Sequence, residues 1–351
     1  MAELQGYAAK AGYKKAVTWG LAVALSPTTG DQFEYATEDV IPNVELIESD
    51  QITGDALAGA SSVGQVTVEG SVSGIDLRFQ GNERWIRDVF GTFVTTNPGI
   101  THFQHKADFA LSNQGKFGTL VIDKQVSVHE YDSFKPMGLT ITGAPGAFTK
   151  LDVRGIGRRV FIEDPGRTND TFTSVLPSYA RILARFGMTT IKIDDAPTNP
   201  PITPYCASGF TIDFQRQGDP AVTTCDGDYS SEPATDTVEI TGVLEFPIYN
   251  TDNQELVREY LSKDSQTILF TIDSGIVIPG STPTKNYMIV IWIPAAQFTD
   301  PGWPAVSTRG RVPLTMNWRA HSAATAVDTD AVMPRIYIHN EVADIDDYVT
   351  P

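Results

Sequence analysis

The feature that most constrains the fold is a pattern that the sequence contains twice. Residues 66–90 read VTVEGSVSGIDLRFQGNERWIRDVF, and residues 238–261 read VEITGVLEFPIYNTDNQELVREYL. In each copy, alternating apolar and polar residues that are typical of a half-buried β-strand precede a short amphipathic helix. Equivalent helix residues lie 171 positions apart, and the strand glycines Gly70 and Gly242 lie 172 apart. The repeat predicts two copies of one structural unit, each with one helix.

Apolar residues in the two helical stretches recur at i, i+1, i+4 and i+5, which gives each helix one apolar face. These faces consist of Trp85, Ile86, Val89 and Phe90 in the first copy and of Leu256, Val257, Tyr260 and Leu261 in the second. Asn82 and Asn253 stand where asparagine commonly caps a helix N-terminus. We expect helices at about 82–91 and 253–262, packed on the outer side of a sheet, with Arg87 and Arg258 pointing away from it.

Alternation between apolar and polar residues recurs along the rest of the chain, for example in residues 119–128, 210–214 and 314–318. The predicted fold class is therefore mainly β. A length of 351 residues favours two domains over one. The repeat places the first domain at residues 1–165 and the second at 186–351. The linker at 166–185 contains most of the stretch SYARILARF at 178–186, part of which is compatible with a helix.

An excess of acidic residues limits what the chain can bind. It contains 43 acidic and 26 basic residues, for a formal net charge of −17. This charge disfavours a protein that grips the phosphate backbone of DNA, because such contacts depend on Lys and Arg. It fits a highly soluble protein, or a surface that nucleic acid passes without binding.

Signals for membrane insertion or export are absent from the sequence. No apolar run reaches the roughly 20 residues that a spanning helix needs. The opening MAELQGYAAKAGYKK lacks the apolar core of a secretory signal. We therefore expect a protein that folds in a cytoplasm, where Cys206 and Cys225 would be free thiols.

Motifs for catalysis or metal binding are weak. His102 and His105 alternate on a predicted strand and so point to opposite faces, which disfavours a shared metal ion. GIGRR at 155–159 lacks the third glycine and the βαβ context of a dinucleotide site. The acidic loop around Asp226 and the run at 344–347 would permit a hydrolase or a calcium site, although solvated loops explain them more simply. The residues favour a structural or binding protein without a cofactor.

Several stretches resemble, in order, the tail tube proteins of long-tailed, siphovirus-like bacteriophages. They are AKAGYKKAVTWGLAVAL at 9–25, VTVEGSVSG at 66–74, YDSFKPMGLTITGAPGAFTKLDVRG at 131–155 and, in the second half, VEITGVLEF, IWIPAAQF and LTMNWRAH. The resemblance covers most of the chain and is to the type with a duplicated domain. It implies two tandem tail-tube-like β-sandwich or barrel domains, each with one short α-helix. Three chains would form a pseudo-hexameric ring, and stacked rings would form a conduit for DNA.

The same resemblance implies partners and a location, but no cofactor, no enzymatic activity and no membrane. The partners are further copies of the chain as homotrimeric rings, the tape measure protein inside the tube, and tail terminator and baseplate or tip proteins at its ends. DNA would pass through the lumen without specific binding. The protein would belong to the virion tail and assemble in the host cytoplasm.

The alternative is a two-domain β-sandwich tail protein that binds carbohydrate or a receptor, for which Trp303 is the obvious aromatic platform.

Candidate site residues follow from the resemblance together with the charge. Arg87 and Arg258 are candidates for contacts between subunits. The loops at 50–64 and 216–235 are candidates for contacts between rings, through Asp50, Asp55, Ser61, Asp219, Asp226 and Asp228. Acidic side chains on the strands of the wall would repel DNA weakly and keep it centred. The candidates for this lumen role are Glu69, Asp76, Asp123, Glu239 and Glu245.

Overall fold

The computed structural model describes residues 8–48, 61–179, 181–196, 200–218, 220, 227–235, 237–304, 306, 310–323 and 333–347. Within these residues the chain is mainly β, with nineteen strands, two short α-helices and a 3-10 turn at Phe186–Met188. The predicted fold class is confirmed. No helix in this part of the chain is long and apolar enough to cross a membrane.

The strands and helices alternate in a similar way in the two halves. The first half contains β1 Lys10–Lys15, β2 Gln32–Phe33, β3 Thr37–Glu38, β4 Ile41–Glu48, β5 Ser61–Asp76, α1 Glu83–Phe90, β6 Gly91–Thr96, β7 Phe103–Phe109, β8 Gly118–Asp123, β9 Val128–Gly143, β10 Lys150–Gly157 and β11 Val160–Ile162. The second half contains β12 Thr189–Asp195, β13 Pro204–Tyr205, β14 Gly209–Gln217, β15 Thr237–Phe246, α2 Gln254–Ser262, β16 Gln266–Val277, β17 Asn286–Gly302, β18 Leu314–Ala320 and β19 Arg335–Asn340.

One continuous antiparallel sheet, here called the long sheet, runs through both halves. In the described residues it has eight strands, in the order β4–β5–β10–β9–β14–β15–β18–β17. The first four strands come from the first half of the sequence and the last four from the second. The two sets meet where residues 138–143 of β9 pair with residues 210–215 of β14. This pair of strands is called the internal junction below.

Two smaller sheets accompany the long sheet. The N-terminal parts of β9 and β17 extend beyond the long sheet into these smaller ones. The first small sheet has the order β2–β1–β8–β9–β11, and the second has the order β13–β12–β16–β17–β19–β7–β6. Because alternate residues of a strand point to opposite faces, each sheet contributes one apolar face. These faces and the apolar side of α1 form one continuous core.

The two halves exchange elements. The hairpin β6–β7 follows α1 in the sequence, yet β7 pairs with β19, which extends the second small sheet. After β19 the chain returns to the first half, where Arg84 Nε donates to the carbonyl of Ile345 at 2.7 Å. Asn340 Nδ2 likewise donates to the carbonyl of Phe79 at 3.0 Å. The domain boundaries at residues 165 and 186 stay a prediction, since these elements pair across them.

Strand pairing occurs in the same order in both halves. The ladders β5–β10–β9–β8–β1 have their counterparts in β15–β18–β17–β16–β12. Gly70 lies opposite Gly155, and Gly242 lies opposite Trp318. An extra residue interrupts the ladder at the same place in each half, at position 137 opposite β10 and at position 299 opposite β18. The ladders therefore assign an equivalent position in one half to each long-sheet residue of the other.

The two helices differ in burial. All eight residues of α1 are buried, so its predicted apolar face packs as expected. In α2 only Leu256 and Val257 are buried, and Leu261 at its end is exposed. Tyr260 is half-buried against the core, so the apolar face predicted for α2 is covered within one chain except at Leu261.

Both asparagines stand at the N-cap positions, but neither side chain caps its helix. Asn82 Oδ1 accepts the N–H of Arg78 at 2.7 Å, and Asn253 Oδ1 accepts the N–H of Asn250 at 2.9 Å. The asparagines therefore fix the turn that leads into each helix.

The helix considered for the linker stretch is wrong. Residues 181–185 run extended, and the backbone N–H of Ala184 donates to the carbonyl of Leu77 at 2.8 Å. The carbonyl of Ile182 accepts the N–H of Phe79 at 3.2 Å. The segment is therefore extended because its backbone groups form hydrogen bonds with Leu77 and Phe79, just after β5.

Candidate functional site

One face of the long sheet is polar and faces solvent. Strand pairing places the side chains of Asp152, Thr140, Asp213, Thr241, Arg319 and Gln297 on this face, in a row across six strands. The intervening residues, such as Val153, Leu139 and Leu244, are buried on the opposite face. This alternation follows from the period of two in a β-strand. The chain thus presents a broad wall of mostly short, polar side chains.

Carboxylates outnumber basic groups on this polar face. The acidic residues are Glu69, Asp76, Asp152, Asp213, Glu239, Glu245 and Asp300, and the basic residues are Lys150, Arg154 and Arg319. Each basic side chain is paired with an acid: Lys150 with Asp76 at 2.5 Å, Arg154 with Asp213 at 3.3 Å and Arg319 with Glu239 at 3.5 Å. The described part of the face therefore carries a net negative charge.

Four of the five acidic residues predicted for the lumen lie on this face, namely Glu69, Asp76, Glu239 and Glu245. Asp123 does not, because it ends β8, which pairs with β1 and β9 in the first small sheet. Its carboxylate instead accepts the N–H of Gln125 at 2.8 Å in the following turn. That the polar face lines a lumen stays a prediction.

Sequence reasoning missed Asp152, Asp213 and Asp300, although all three stand on the same face. Asp152 and Asp213 occupy polar positions in the alternating stretches LDVRG and TIDFQ. Alternation alone could have identified these two. Asp300 follows the bulge in β17, and a bulge shifts the alternation in a way that sequence does not reveal.

The internal junction combines a strand ladder with side-chain contacts. Thr140 Oγ1 donates to Asp213 Oδ1 at 2.8 Å across it, on the polar face. On the opposite face, the ring of Phe214 lies 4.9 Å from that of Phe90 at the end of α1. The second half therefore covers the end of the first half's helix.

Arg216 of β14 also covers the C-terminal end of α1. Its guanidinium donates to the carbonyls of Val89, Phe90 and Ala110 at 2.6, 3.0 and 2.7 Å. It also lies 4.2 Å from the ring centre of Phe109. Burial lowers the pKa of the Arg216 guanidinium to about 10. A cation at a helix C-terminus interacts favourably with the helix dipole, so this arginine fastens the second half onto the end of α1.

The segment 227–235, which precedes β15, folds against the first half of the same chain. Lys135 Nζ donates to Glu232 Oε1 at 2.8 Å and to the carbonyl of Pro233 at 2.7 Å. Burial lowers the pKa of Lys135, and Glu232 opposes that shift. Trp19 Nε1 donates to the carbonyl of Ser230 at 2.9 Å. This part of the loop therefore strengthens the contact between the halves.

The residues predicted to join rings are only partly described. The backbone carbonyl of Asp228 accepts the N–H of Val66 at 2.8 Å, and its side chain is exposed. Ser61 begins β5. Asp50, Asp55, Asp219 and Asp226 lie outside the described residues. A role of these loops between rings stays a prediction.

The two arginines predicted to join subunits have different environments. The side chain of Arg258 is exposed and pairs with Glu255 at 2.9 Å. Arg87 does not point away from the protein as expected, because it is buried between Asp88 at 2.7 Å and Asp346 at 2.6 Å. Burial by itself would lower the pKa of Arg87, but the two carboxylates raise it above its usual value. Arg87 thus binds the C-terminal segment to α1 within one chain.

Both outer edges of the long sheet are open in the described chain. β4 pairs with β5 on one side and has no described partner along its other side. At the far end, residues 297–302 of β17 pair with β18 alone. Exposed apolar side chains lie at each end, with Ile41 and Val44 on β4 and with Leu261 and Trp303 near β17. Open edges with apolar side chains are typical of surfaces that another chain covers.

A cluster of histidines lies away from the long sheet, in the second small sheet. His102 Nε2 lies 2.9 Å from His339 Nδ1, and His105 Nε2 lies 2.9 Å from Asn340 Oδ1. Burial lowers the pKa of His105 and of His339 to about 4 each. Among the described residues, no group of three or more His, Cys, Asp or Glu side chains is arranged to hold a metal ion.

Comparison with known proteins identifies a family for this chain. A family model described as phage tail tube protein matches residues 6–320, which is most of the chain. That family is structural and not a family of enzymes. No curated protein matches the chain.

Proposed function

Because the chain belongs to the phage tail tube protein family, we propose that it assembles into stacked homotrimeric, pseudo-hexameric rings that form the tail tube of a long-tailed phage. The observation that carries this proposal is the long sheet, with a polar face, an apolar face and two open edges. An open edge leaves backbone N–H and C=O groups without partners. Closing the sheet on itself through further copies supplies those partners.

The number of strands fits a tube that DNA can enter. Each chain contributes eight strands to the long sheet, so three chains would contribute about 24 strands. At roughly 4.8 Å between strands and a tilt of about 40°, such a barrel has a backbone diameter of about 50 Å. Side chains would leave about 35–40 Å, which exceeds the roughly 20 Å width of a DNA duplex.

The polar face of the long sheet would line this lumen. Its excess of carboxylates, including Glu69, Glu239 and Glu245, would repel the phosphates of a passing duplex. Basic residues attract phosphates, and each such contact must be broken when DNA moves. On this face each basic side chain is already paired with a carboxylate. DNA would therefore pass without specific binding.

Other parts of the chain and other proteins complete the proposal. The loops at 50–64 and 216–235 would connect one ring to the next, and exposed Arg258 would contact a neighbouring subunit. The tube would enclose the tape measure protein during assembly in the host cytoplasm. Tail terminator and baseplate or tip proteins would bind its two ends.

Electron microscopy of the purified protein tests this function. We expect tubes or stacked rings, with threefold rotational symmetry that approximates sixfold. Rings of six chains would contradict the trimer, and protein that stays monomeric at every concentration would contradict the tube. A carbohydrate- or receptor-binding protein, the alternative assignment, would form neither tubes nor stacked rings.

A further inference from the structure

The internal junction has two unpaired counterparts at the ends of the same chain. At the junction, the C-terminal part of β9 pairs with β14. The equivalents of these segments are the C-terminal part of β17 and the strand β4, and neither has a described partner along the corresponding edge. We infer that β17 of one copy pairs with β4 of the next, in the register that the internal junction sets. This inference rests on the proposed function, because it takes the partner to be a second copy of the chain.

The equivalence that sets this register comes from the ladders. Ile212 lies opposite Gly242, and Ile41 lies opposite Glu69. Aligning Gly242 with Gly70 therefore aligns Asp213 with Ile41. On the other strand, Gly138 lies opposite Arg154 and Asp300 lies opposite Asn317, each just beyond the extra residue of its ladder. This aligns Thr140 with Gly302.

The junction pair Thr140–Asp213 thus predicts that Gly302 lies opposite Ile41 of the next copy. The same register places Asp300 opposite Asn43 and Pro301 opposite Pro42. The two prolines have no N–H, so this pair adds no ladder hydrogen bonds, and the contact there is between side chains. Proline on an edge strand also disfavours pairing with other strands, which makes the open edge selective.

The side chains at the internal junction are more buried than their equivalents at the unpaired edges. Phe90 at the end of α1 is 0% exposed, and the rings of Phe214 from the second half and of Phe109 both pack against it. Its equivalent at the end of α2 is Leu261, 171 positions later, which is 63% exposed. Arg216 is 4% exposed, whereas its equivalent on β4, Val44, is 49% exposed. Phe90 and Arg216 therefore each have an exposed, apolar equivalent.

These exposed residues fit one another. The predicted register places Pro42 and Val44 of the next copy over Leu261 of the first, as Phe214 and Arg216 lie over Phe90 within the chain. The internal contact uses hydrogen bonds from an arginine to helix carbonyls. The contact between copies would instead bury apolar side chains. Such burial is non-directional, and it leaves no charged group without a partner in the free subunit.

Disulfide cross-linking tests the register. In a chain with Cys206→Ser and Cys225→Ser, the pair Ile41→Cys and Gly302→Cys should form disulfides between copies in assembled tubes. Residues directly opposite in antiparallel strands have Cβ atoms about 4.5–5.5 Å apart, near the reach of a disulfide. A side chain at position 302 meets Thr315 only at an ordinary contact distance of 3.4 Å. The control pair Asn43→Cys and Gly302→Cys is diagonal and should cross-link at least fivefold less.

The two possible failures can be told apart. If the cysteine variants form tubes but the 41–302 pair does not exceed the 43–302 pair, the inferred register is wrong while the tube remains. If the unmodified chain forms no rings or tubes, the proposed function fails first. Thermal unfolding of each variant as a monomer shows whether it has folded.

A second pair of variants tests the apolar contact without relying on the ladder. Val44→Glu and Leu261→Glu should each leave monomer unfolding unchanged and raise the protein concentration needed for ring formation at least tenfold. Ile100→Glu is the matched control, since Ile100 is exposed and lies outside both edges. Equal behaviour of all three variants would overturn the inferred contact.

Discussion

The rings of Phe90 and Phe214 lie 4.9 Å apart, and 124 residues of sequence separate them. Phe90 ends the first helix, and Phe214 belongs to the strand with which the second half enters the long sheet. Their contact makes the end of α1 part of the core. We expect Phe214→Ala to lower the free energy of unfolding by about 3–5 kcal/mol, as for other buried phenylalanines. Chemical denaturation measures this, and Phe148→Ala, at an exposed site, should cost far less.

Arg216 provides a second test of the internal junction. Arg216→Ala removes donors from three carbonyls, and we expect a loss of about 2–4 kcal/mol in unfolding free energy. Lysine at this position should restore only part of the loss, because it lacks the planar fork that reaches several acceptors. Arg258→Ala is the control, since that side chain is exposed and pairs only with Glu255 in α2. Equal losses at both sites would contradict the role given to Arg216.

The buried histidines predict how stability depends on pH. His105 and His339 have a pKa of about 4 in the folded chain, against about 6.5 when unfolded. Between these values the unfolded chain binds more protons than the folded one, so unfolding free energy falls as the pH drops from about 6.5 to 4. The full loss is about 3 kcal/mol per histidine at most.

Unfolding midpoints measured from pH 8 to pH 4 check this dependence. His339→Gln should flatten the curve below pH 6.5, whereas His321→Gln should not, since His321 is exposed. Acidic groups contribute their own loss of stability near pH 4, and the difference between these two variants removes that contribution. Identical curves for both variants would contradict the assignment.

The net negative charge of the polar face can be neutralised without disturbing the core. Glu69 and Glu245 are exposed on that face, so Glu69→Lys with Glu245→Lys should leave folding and tube formation intact. The tubes should then retain DNA, and the retention should weaken as salt increases, because phosphate contacts release counterions. Asp170→Lys, at an exposed site off the long sheet, changes the net charge by less and should cause no retention. Retention that is equal in both proteins would mean that the polar face does not line the lumen.

Changing the loop before β5 should prevent the stacking of rings without preventing ring formation. Replacing residues 50–60 by a short Gly-Ser linker leaves every described strand in place. We expect normal thermal unfolding and normal rings, but no long tubes, because a loop of small polar residues contributes little to a core. Electron microscopy distinguishes rings from tubes, and tubes of normal length would refute the contact between rings.

Local patterns predicted the elements that local physics determines. Both helices lie within a residue or two of their predicted bounds, because the spacing of apolar residues around Trp85 and Leu256 is a property of the helix itself. Alternation likewise identified the strands and the acidic positions Glu69 and Glu239. These signals depend on neighbours within a few residues.

The failures involve partners that are distant in the sequence. The sequence pattern predicts Arg87 as an exposed helix residue, but it is buried in ion pairs with the adjacent Asp88 and with Asp346, 259 positions away. The sequence pattern predicts only that Arg216 is a polar strand residue. It does not reveal that the guanidinium donates to a carbonyl of α1. Asp123 has the same alternation as Glu69, and nothing local reveals that its strand belongs to another sheet. Sequence patterns indicate which face of a strand is polar, but not which sheet the strand joins.

The exchange of elements between the halves sets an order of events during synthesis. Helix α1 is covered by Phe214, which follows it by about 120 residues, and by the segment around Ile345, which follows it by about 260. At roughly 5–20 residues per second, a ribosome would need about 13–50 seconds to supply that last segment. A first half that has just left the ribosome therefore lacks its cover, and we expect that it could not enter the proposed ring. Translation itself would delay polymerisation until each subunit is complete, and chains that stop early would be excluded from the tube.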